Sequence, residues 1–428
     1  MKLLICSARI VNEGASFEGS VLVDGETIQG VYAGLPPPVS EIGGEVETLN
    51  AAGLLLLPGV IDVHVHFRDP GFPHKGTWGS ESRAAVAGGV TFVADMPNTL
   101  PPTTSLAALQ EKNAIAAQHS LANYRCYIGA TAGNLDLIAK LTPNDAFAVK
   151  LFMGSSTGNL LLNDDKLLSR LFAECRLPIV AHCENEAIIR RNTERYTAEY
   201  GAAIPFALHP QLRSAEACYT ATAQAVALAQ KYGARLHVAH LSTARELALF
   251  GAGADKITAE TCPHYLWFCD DDYAAKGALL KCNPAVKAAS DRAALRRAVA
   301  SGAIAAIATD HAPHTLDEKQ NAYLRAPSGL PLIQHSLVAM LELAQQGVFS
   351  VETVVERMCH APARIFGIRS RGFIRAGYAA DLVLVNPRAP WLVTSENTLH
   401  KCGWSAFAGH TFSHRVTRTF VNGKSFEF

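Results

Sequence analysis

Residues 61–71 read IDVHVHFRDPG, and they hold the densest chemistry in the chain. Val60, Ile61, Val63 and Val65 are β-branched, so this stretch is expected to be a strand. Side chains two apart on a strand point to the same side, so His64 and His66 present both imidazoles in one direction. Two histidines with room for further ligands are how a zinc site begins. A strand carrying two partly exposed histidines is the plainer alternative, and the other strand ends decide between the two.

The elements that would position such a site can be read along the middle of the chain. Eight apolar strand candidates alternate with helical patterns: Gly59–Phe67, Val90–Met96, Tyr124–Ala130, Phe147–Phe152, Pro178–His182, Arg235–Leu241, Lys256–Thr261 and Ile304–Thr309. Helical stretches such as Ser214–Lys231 and Asp291–Ala300 fall between them. Eight βα units over 58–367 fit an α/β fold of the TIM (β/α)8 barrel type, whose chemistry sits at the C-terminal strand ends. Residues 1–57 and 368–428 have a different texture of short strands and Gly turns. They are expected to form one small composite β domain from both termini.

Polar, metal-capable residues stand where five of these strands end. Strand one carries His64 and His66, strand four Lys150, strand five His182 in PIVAHCEN, strand six His240 in LHVAHLS, and strand eight Asp310 in AIATDHAPH. A lone histidine at a strand end is more often a hydrogen-bonded structural residue. Five strand ends agreeing on one rim of one barrel favour a site. Lys150 lies inside the apolar run AFAVKLFM, where desolvation lowers an amine's pKa and favours its neutral form. A neutral amine can add carbon dioxide and become a carbamate able to bridge two metal ions. The simpler readings are a lysine that snorkels to the rim or one paired with a neighbouring acid.

Composition bounds the rest. The chain has 428 residues, is 49% apolar and has zero formal net charge. No apolar run approaches membrane-spanning length and no basic run stands out, so neither a membrane nor nucleic acid is an expected partner. The N-terminus MKLLICSARIVNEG lacks the apolar core of a signal peptide, and the ten cysteines are scattered without a CxxC pair. Both features suit a cytoplasmic protein acting on a small molecule.

HVHFRDPG, KLFMGSSTGN, AHCEN, HVAHLST, TCPHYL and TDHAPH, in this order over nearly the whole chain, resemble the cyclic amidohydrolases of the amidohydrolase superfamily, and dihydroorotases most of all. The resemblance implies two zinc ions per chain, bridged by carboxylated Lys150. His64, His66, Lys150 and Asp310 would hold one ion, and Lys150, His182 and His240 the other. Asp310 would be the general acid and base. Arg68, Asn98 and His314 match the positions that hold the substrate's free carboxylate. Asn283 matches one that contacts the ring, although KCNPAVK departs from the commoner NPPLR form. The partners this implies are a small-molecule substrate and further copies of the chain, as a homodimer or larger homo-oligomer.

Alternatives remain at several of these points. Hydantoinases and allantoinases share the flavour of KLFMGSSTGN but usually lack an arginine at the position of Arg68. Asp164 or Asp165 could replace Lys150 as the bridging carboxylate. A non-catalytic scaffold for another pyrimidine enzyme would have lost ligand positions, and all are filled here. Cys183 and Cys262 read as small core residues, Glu260 and His264 as hydrogen-bonding neighbours of the site, His311 as an orienting residue and His209 as structural. His74 falls in the loop after RDPG, and the loop Thr315–Ser328 could close over substrate.

Overall fold

In the computed structural model, which describes residues 2–154, 160–250 and 256–428, the middle of the chain forms eight parallel strands. They are β1 (Val60–Val65), β2 (Val90–Asp95), β3 (Asn123–Cys126 continued by Ile128–Gly129), β4 (Val149–Phe152), β5 (Ile179–His182), β6 (Leu236–Val238), β7 (Ile257–Thr261) and β8 (Ala306–Ile307). Each pairs in parallel with the next, apart from a break inside β3, where Tyr127 donates its N–H to the Asp95 carbonyl. A parallel bridge between Val65 and His311, with the His66 N–H on the His311 carbonyl at 2.7 Å, joins the last strand to the first. The sheet is thereby closed into the expected barrel and its strands have no free edge.

The strands are nearly continuous apolar runs because both of their faces are buried; all four residues of β4 are buried. The helices between them show one apolar stripe each. Asp165–Glu174 buries Leu168, Leu171 and Phe172, the three- and four-residue spacing of a helix lying on a sheet. The expected helices are present as Ala215–Tyr232 and Ala289–Ser301.

The two chain ends meet in a second, mainly antiparallel sheet. Its order is Lys424–Phe426, Arg415–Val421, Leu382–Asn386, Leu55–Pro58, Lys2–Asn12, Ala15–Asp24 and Thr27–Ala33, with Val46–Asn50 also paired to Lys2–Asn12. Ile5, Ile10, Val21, Leu56, Leu382 and Phe420 form its core. The stretch between these C-terminal strands packs on the barrel instead. Phe407 and Phe412 join the main core, and Trp404 donates its indole N–H to the His314 carbonyl at 2.8 Å.

Several strands are shorter than the sequence suggested, some at their start, as where β4 begins at Val149 rather than Phe147, and others at the functional end. β8 stops at Ile307 where Thr309 was expected, because Thr309 gives its N–H (3.1 Å) and hydroxyl (2.6 Å) to the Asp62 carboxylate rather than to a neighbouring strand. β1 ends at Val65 where Phe67 was expected; the Phe67 N–H goes to Asp95 Oδ1 at 2.6 Å. β6 ends at Val238, and two residues later His240 leaves extended geometry altogether, with φ of 41°.

Candidate active site

The backbone departs from regular strand geometry at several of the candidate side chains. β1 slips register against β2 between Asp62 and Val65, the signature of a bulge at His64. Arg68, His240 and Asp310 have φ of 68°, 41° and 48°, left-handed conformations that cost a non-glycine residue about 1–3 kcal/mol each. Such strain persists only where the surroundings over-determine it. Here it turns three side chains at the ends of three different strands.

His64, His66 and Asp310 converge. Asp310 Oδ1 lies 3.0 Å from His66 Nε2 and 3.3 Å from His64 Nε2, and all three residues are buried. The far nitrogen of each ring is spoken for: His64 Nδ1 lies 2.5 Å from Glu260 Oε1, and His66 Nδ1 lies 2.7 Å from Asn98 Oδ1. Both partners are acceptors, so each ring's proton sits on Nδ1 and its Nε2 lone pair faces Asp310. Three acceptors within 4.8 Å of one another form a set that a cation satisfies. Burial opposes the charge of the Asp310 carboxyl, and only positive charge on the facing imidazoles would hold it well below the usual range, so with both rings neutral a cation at their Nε2 atoms is what would keep it ionised. Burial also opposes the charge of Glu260, and His64 and His237 prevail, the latter through a 3.1 Å contact to Oε2.

His182 and His240 form an adjoining pair. His182 Nδ1 lies 2.9 Å from His240 Nε2, while His182 Nε2 meets Glu184 Oε2 at 2.8 Å. Glu184 is held ionised by Arg213, which reaches its carboxylate through Nη2 at 2.6 Å and Nε at 3.0 Å. The proton of His182 therefore sits on Nε2, leaving the Nδ1 lone pair beside His240. The rings of His64 and His240 are 5.2 Å apart, which joins the two groups into one site.

Lys150 on β4 is fully buried and its ammonium nitrogen has no hydrogen-bond partner among the described residues. Burial draws its pKa down to about 8. An orphaned amine among histidines and a carboxylate fits a carbamate better than it fits a snorkelling or salt-bridged lysine. Residues 155–159, the SSTGN of the lysine motif, lie outside the described residues.

Arg68 and His314 stand side by side at the rim, with Arg68 Nη2 and His314 Nε2 3.1 Å apart. Arg68 also donates Nε to the Pro313 carbonyl at 3.2 Å. Asn98 is present but its carbonyl is committed to His66. Asn283 places a buried Oδ1 that has no partner among the described residues. The Thr315–Ser328 loop is clamped in place. Lys319 donates to the carbonyls of Lys281, Pro327 and Gly329, and Lys281 to those of Tyr323 and Ala326. Gly329 makes the fit possible: at φ of 145°, a Cβ there would lie 2.5 Å from the Ala312 carbonyl.

The alternative carboxylates are elsewhere. Asp164 and Asp165 are exposed; Asp164 caps its helix through Lys166 and Leu167, and Asp165 accepts from Gln224. Cys183 and Cys262 are buried with thiols pushed up by burial. His209 bridges Tyr323 and the Cys282 carbonyl, and His311 joins Glu81 to the Leu332 N–H. Neither ring nitrogen of the buried His264 has a partner among the described residues. The sequence reading missed Asp62, Glu184, Arg213 and His237. The first two lie two residues from a site histidine, which was an available signal. Arg213 and His237 carried none.

The chain matches the family described as "Amidohydrolase family" over residues 55–426. It is 35% identical over 94% of its length to a dihydroorotase of Halobacterium salinarum, of which it covers 92%. It is 32% identical over 95% of its length to an allantoinase of Rubrobacter xylanophilus, of which it covers 91%. Among solved structures, the L-hydantoinase (dihydropyrimidinase) from Arthrobacter aurescens superposes with a TM-score of 0.93 at 28% identity, covering 99% of this chain and 95% of that one. With a converging His-His-Asp group at the mouth of a closed barrel, this chain belongs to the amidohydrolase family and is a cyclic-amide hydrolase.

Proposed function

We propose that the enzyme is a zinc-dependent dihydroorotase, interconverting N-carbamoyl-L-aspartate and L-dihydroorotate in pyrimidine biosynthesis. One observation carries the choice among cyclic amides. Arg68 is buried at a strained strand end, and it forms no ion pair among the described residues. A buried cation without a counter-charge is costly, and a substrate carboxylate would supply one. Dihydroorotate carries that carboxylate and hydantoin does not. The allantoinase and L-hydantoinase likenesses make those activities the rival reading.

His64, His66 and Asp310 would hold one metal ion, and His182 and His240 a second, with the Lys150 carbamate between them. When bound, two zinc ions would acidify a water and polarise the ring carbonyl. Asp310 takes the proton of the attacking water and returns it to the ring nitrogen as the amide bond breaks. Arg68, with His314, fixes the ring by its carboxylate. The ten cysteines are all free thiols, which supports a place in the cytoplasm.

Arg68→Gln tests the choice of substrate. A hydrogen bond to a charged group is worth about 1.5–3 kcal/mol, so kcat/KM on dihydroorotate should fall roughly ten- to a hundred-fold. Hydantoin, with no carboxylate to lose, should be hardly affected. Both substrates measured on both proteins give one ratio. If it does not move against dihydroorotate, Arg68 does not read the carboxylate.

A further inference from the structure

The peptide just before Arg68 is held by a buried ion pair that the proposed reaction does not use. β1 has ended at Val65, and the Phe67 N–H goes to Asp95 Oδ1 at 2.6 Å. The other carboxylate oxygen of Asp95 pairs with the ammonium of Lys112, which reaches in from the helix Leu106–His119 and also donates to the Met96 carbonyl at 2.5 Å. Both residues are fully buried. We propose that Asp95 and Lys112 are positioning residues that act through the Phe67 peptide, holding Arg68 in its left-handed turn and leaving its guanidinium free for an anionic group of the substrate. The identity of that anion rests on the dihydroorotase reading; the control of the turn does not.

Asp95 is fixed from both sides. Val65 on β1 is its ladder partner, its carbonyl accepts the Tyr127 N–H at 3.0 Å, and the following N–H, of Met96, goes to the Val65 carbonyl at 2.9 Å. Its carboxylate therefore stands at a set point beside the end of β1. An acceptor is needed there, because a buried N–H that has left the ladder is costly when unpaired. One residue on, Arg68 turns to φ of 68° and sends Nε to the Pro313 carbonyl at 3.2 Å. A left-handed arginine persists only where its surroundings hold it, and the Phe67 N–H is the anchor on its N-terminal side.

Lys112 meets a second requirement. Asp95 and Arg68 are both buried, and each favours the charged form of the other. Unmatched, Asp95 would be a counter-charge for Arg68 and would compete with a substrate anion. Burial opposes the Asp95 charge, and Lys112 supports it more strongly than Arg68 does. The carboxylate is thus matched from the helix side. A buried ion pair is seldom more stable than two apolar side chains of the same size, so folding stability is a weak reason to keep one here. What an apolar pair could not supply is the acceptor for the Phe67 N–H.

Two charge-balanced double variants test this without stranding a buried charge. Asp95→Asn with Lys112→Met keeps an acceptor for the Phe67 N–H, and Asp95→Leu with Lys112→Met removes it. Crystal structures of both should show Arg68 in its left-handed turn in the first and out of it in the second. KM for dihydroorotate should stay within a few-fold of wild type in the first and rise about tenfold in the second, the loss expected when one charge-assisted contact is weakened, with kcat little changed. Hydantoin should be turned over equally by both. If the leucine variant does not fold, Lys112→Met alone, which leaves Asp95 unmatched, should draw Arg68 toward Asp95 and raise KM likewise. Arg68 in its wild-type place with an unchanged KM, or an equal loss on hydantoin, would overturn the proposal. Arg68 displaced as expected in a protein whose wild type ignores dihydroorotate would instead overturn the substrate reading and leave the positioning role standing.

Discussion

Replacing Asp310 with Asn is expected to lower turnover by roughly two to four powers of ten, the range of a lost general acid–base group. The substitution keeps the shape of the side chain and removes its charge. Oδ1 now stands 3.0 Å and 3.3 Å from the two ring nitrogens of β1, an acceptor facing two lone pairs. An amide in its place either presents a donor to those lone pairs, which no longer leaves room for a cation, or presents a weaker acceptor that cannot take a proton. Metal content and kcat measured together separate the two contributions. A variant within a few-fold of wild type would mean that another group moves the proton; His264, buried with both nitrogens unpartnered among the described residues, would be the first to examine.

Lys150→Ala should lose metal and activity together. The amine stands alone in a buried pocket with its pKa drawn down to about 8, so near-neutral solutions hold a far larger neutral fraction than for an exposed lysine. On the proposed reading the neutral amine would add to carbon dioxide, lose a proton, and become the carboxylate that the two histidine groups lack between them. Short-chain carboxylic acids added to the alanine variant should restore part of both properties by occupying the space. Full activity with two zinc ions retained would contradict the carbamate. No substitute is at hand in the alternatives raised by sequence, since Asp164 caps a helix and Asp165 binds Gln224, both at the surface.

The barrel and the cluster of histidines and acid at its rim were legible because both rest on short-range pattern. A strand buried on two faces must be apolar throughout, so His64, His182, His240 and Lys150 stand out against their own strands. Their neighbours two residues away, Asp62 and Glu184, were visible in the same strings but need a partner to be interpreted. Asp62 is explained by Thr309, far along the chain, and Glu184 by Arg213. The first pairing comes from the closure of the barrel and the second from the long connection between β5 and β6 folding back on itself, and no local periodicity records either. The shortened strands have the same origin. β8 gives up its ladder at Thr309 because a side chain from β1 takes its N–H, a competition that propensity cannot register. The Arg68–His314 contact likewise depends on two loops meeting across the barrel mouth.

The most direct measurement is the rate of ring opening by the zinc-loaded wild-type enzyme on L-dihydroorotate, allantoin and hydantoin under identical conditions, with bound metal quantified in the same preparation. A dihydroorotase whose Arg68 awaits a carboxylate should hold two zinc ions per chain. It should also have its highest kcat/KM on dihydroorotate, by at least the roughly tenfold that one charged hydrogen bond provides. A clear preference for allantoin or hydantoin in fully loaded protein would contradict it.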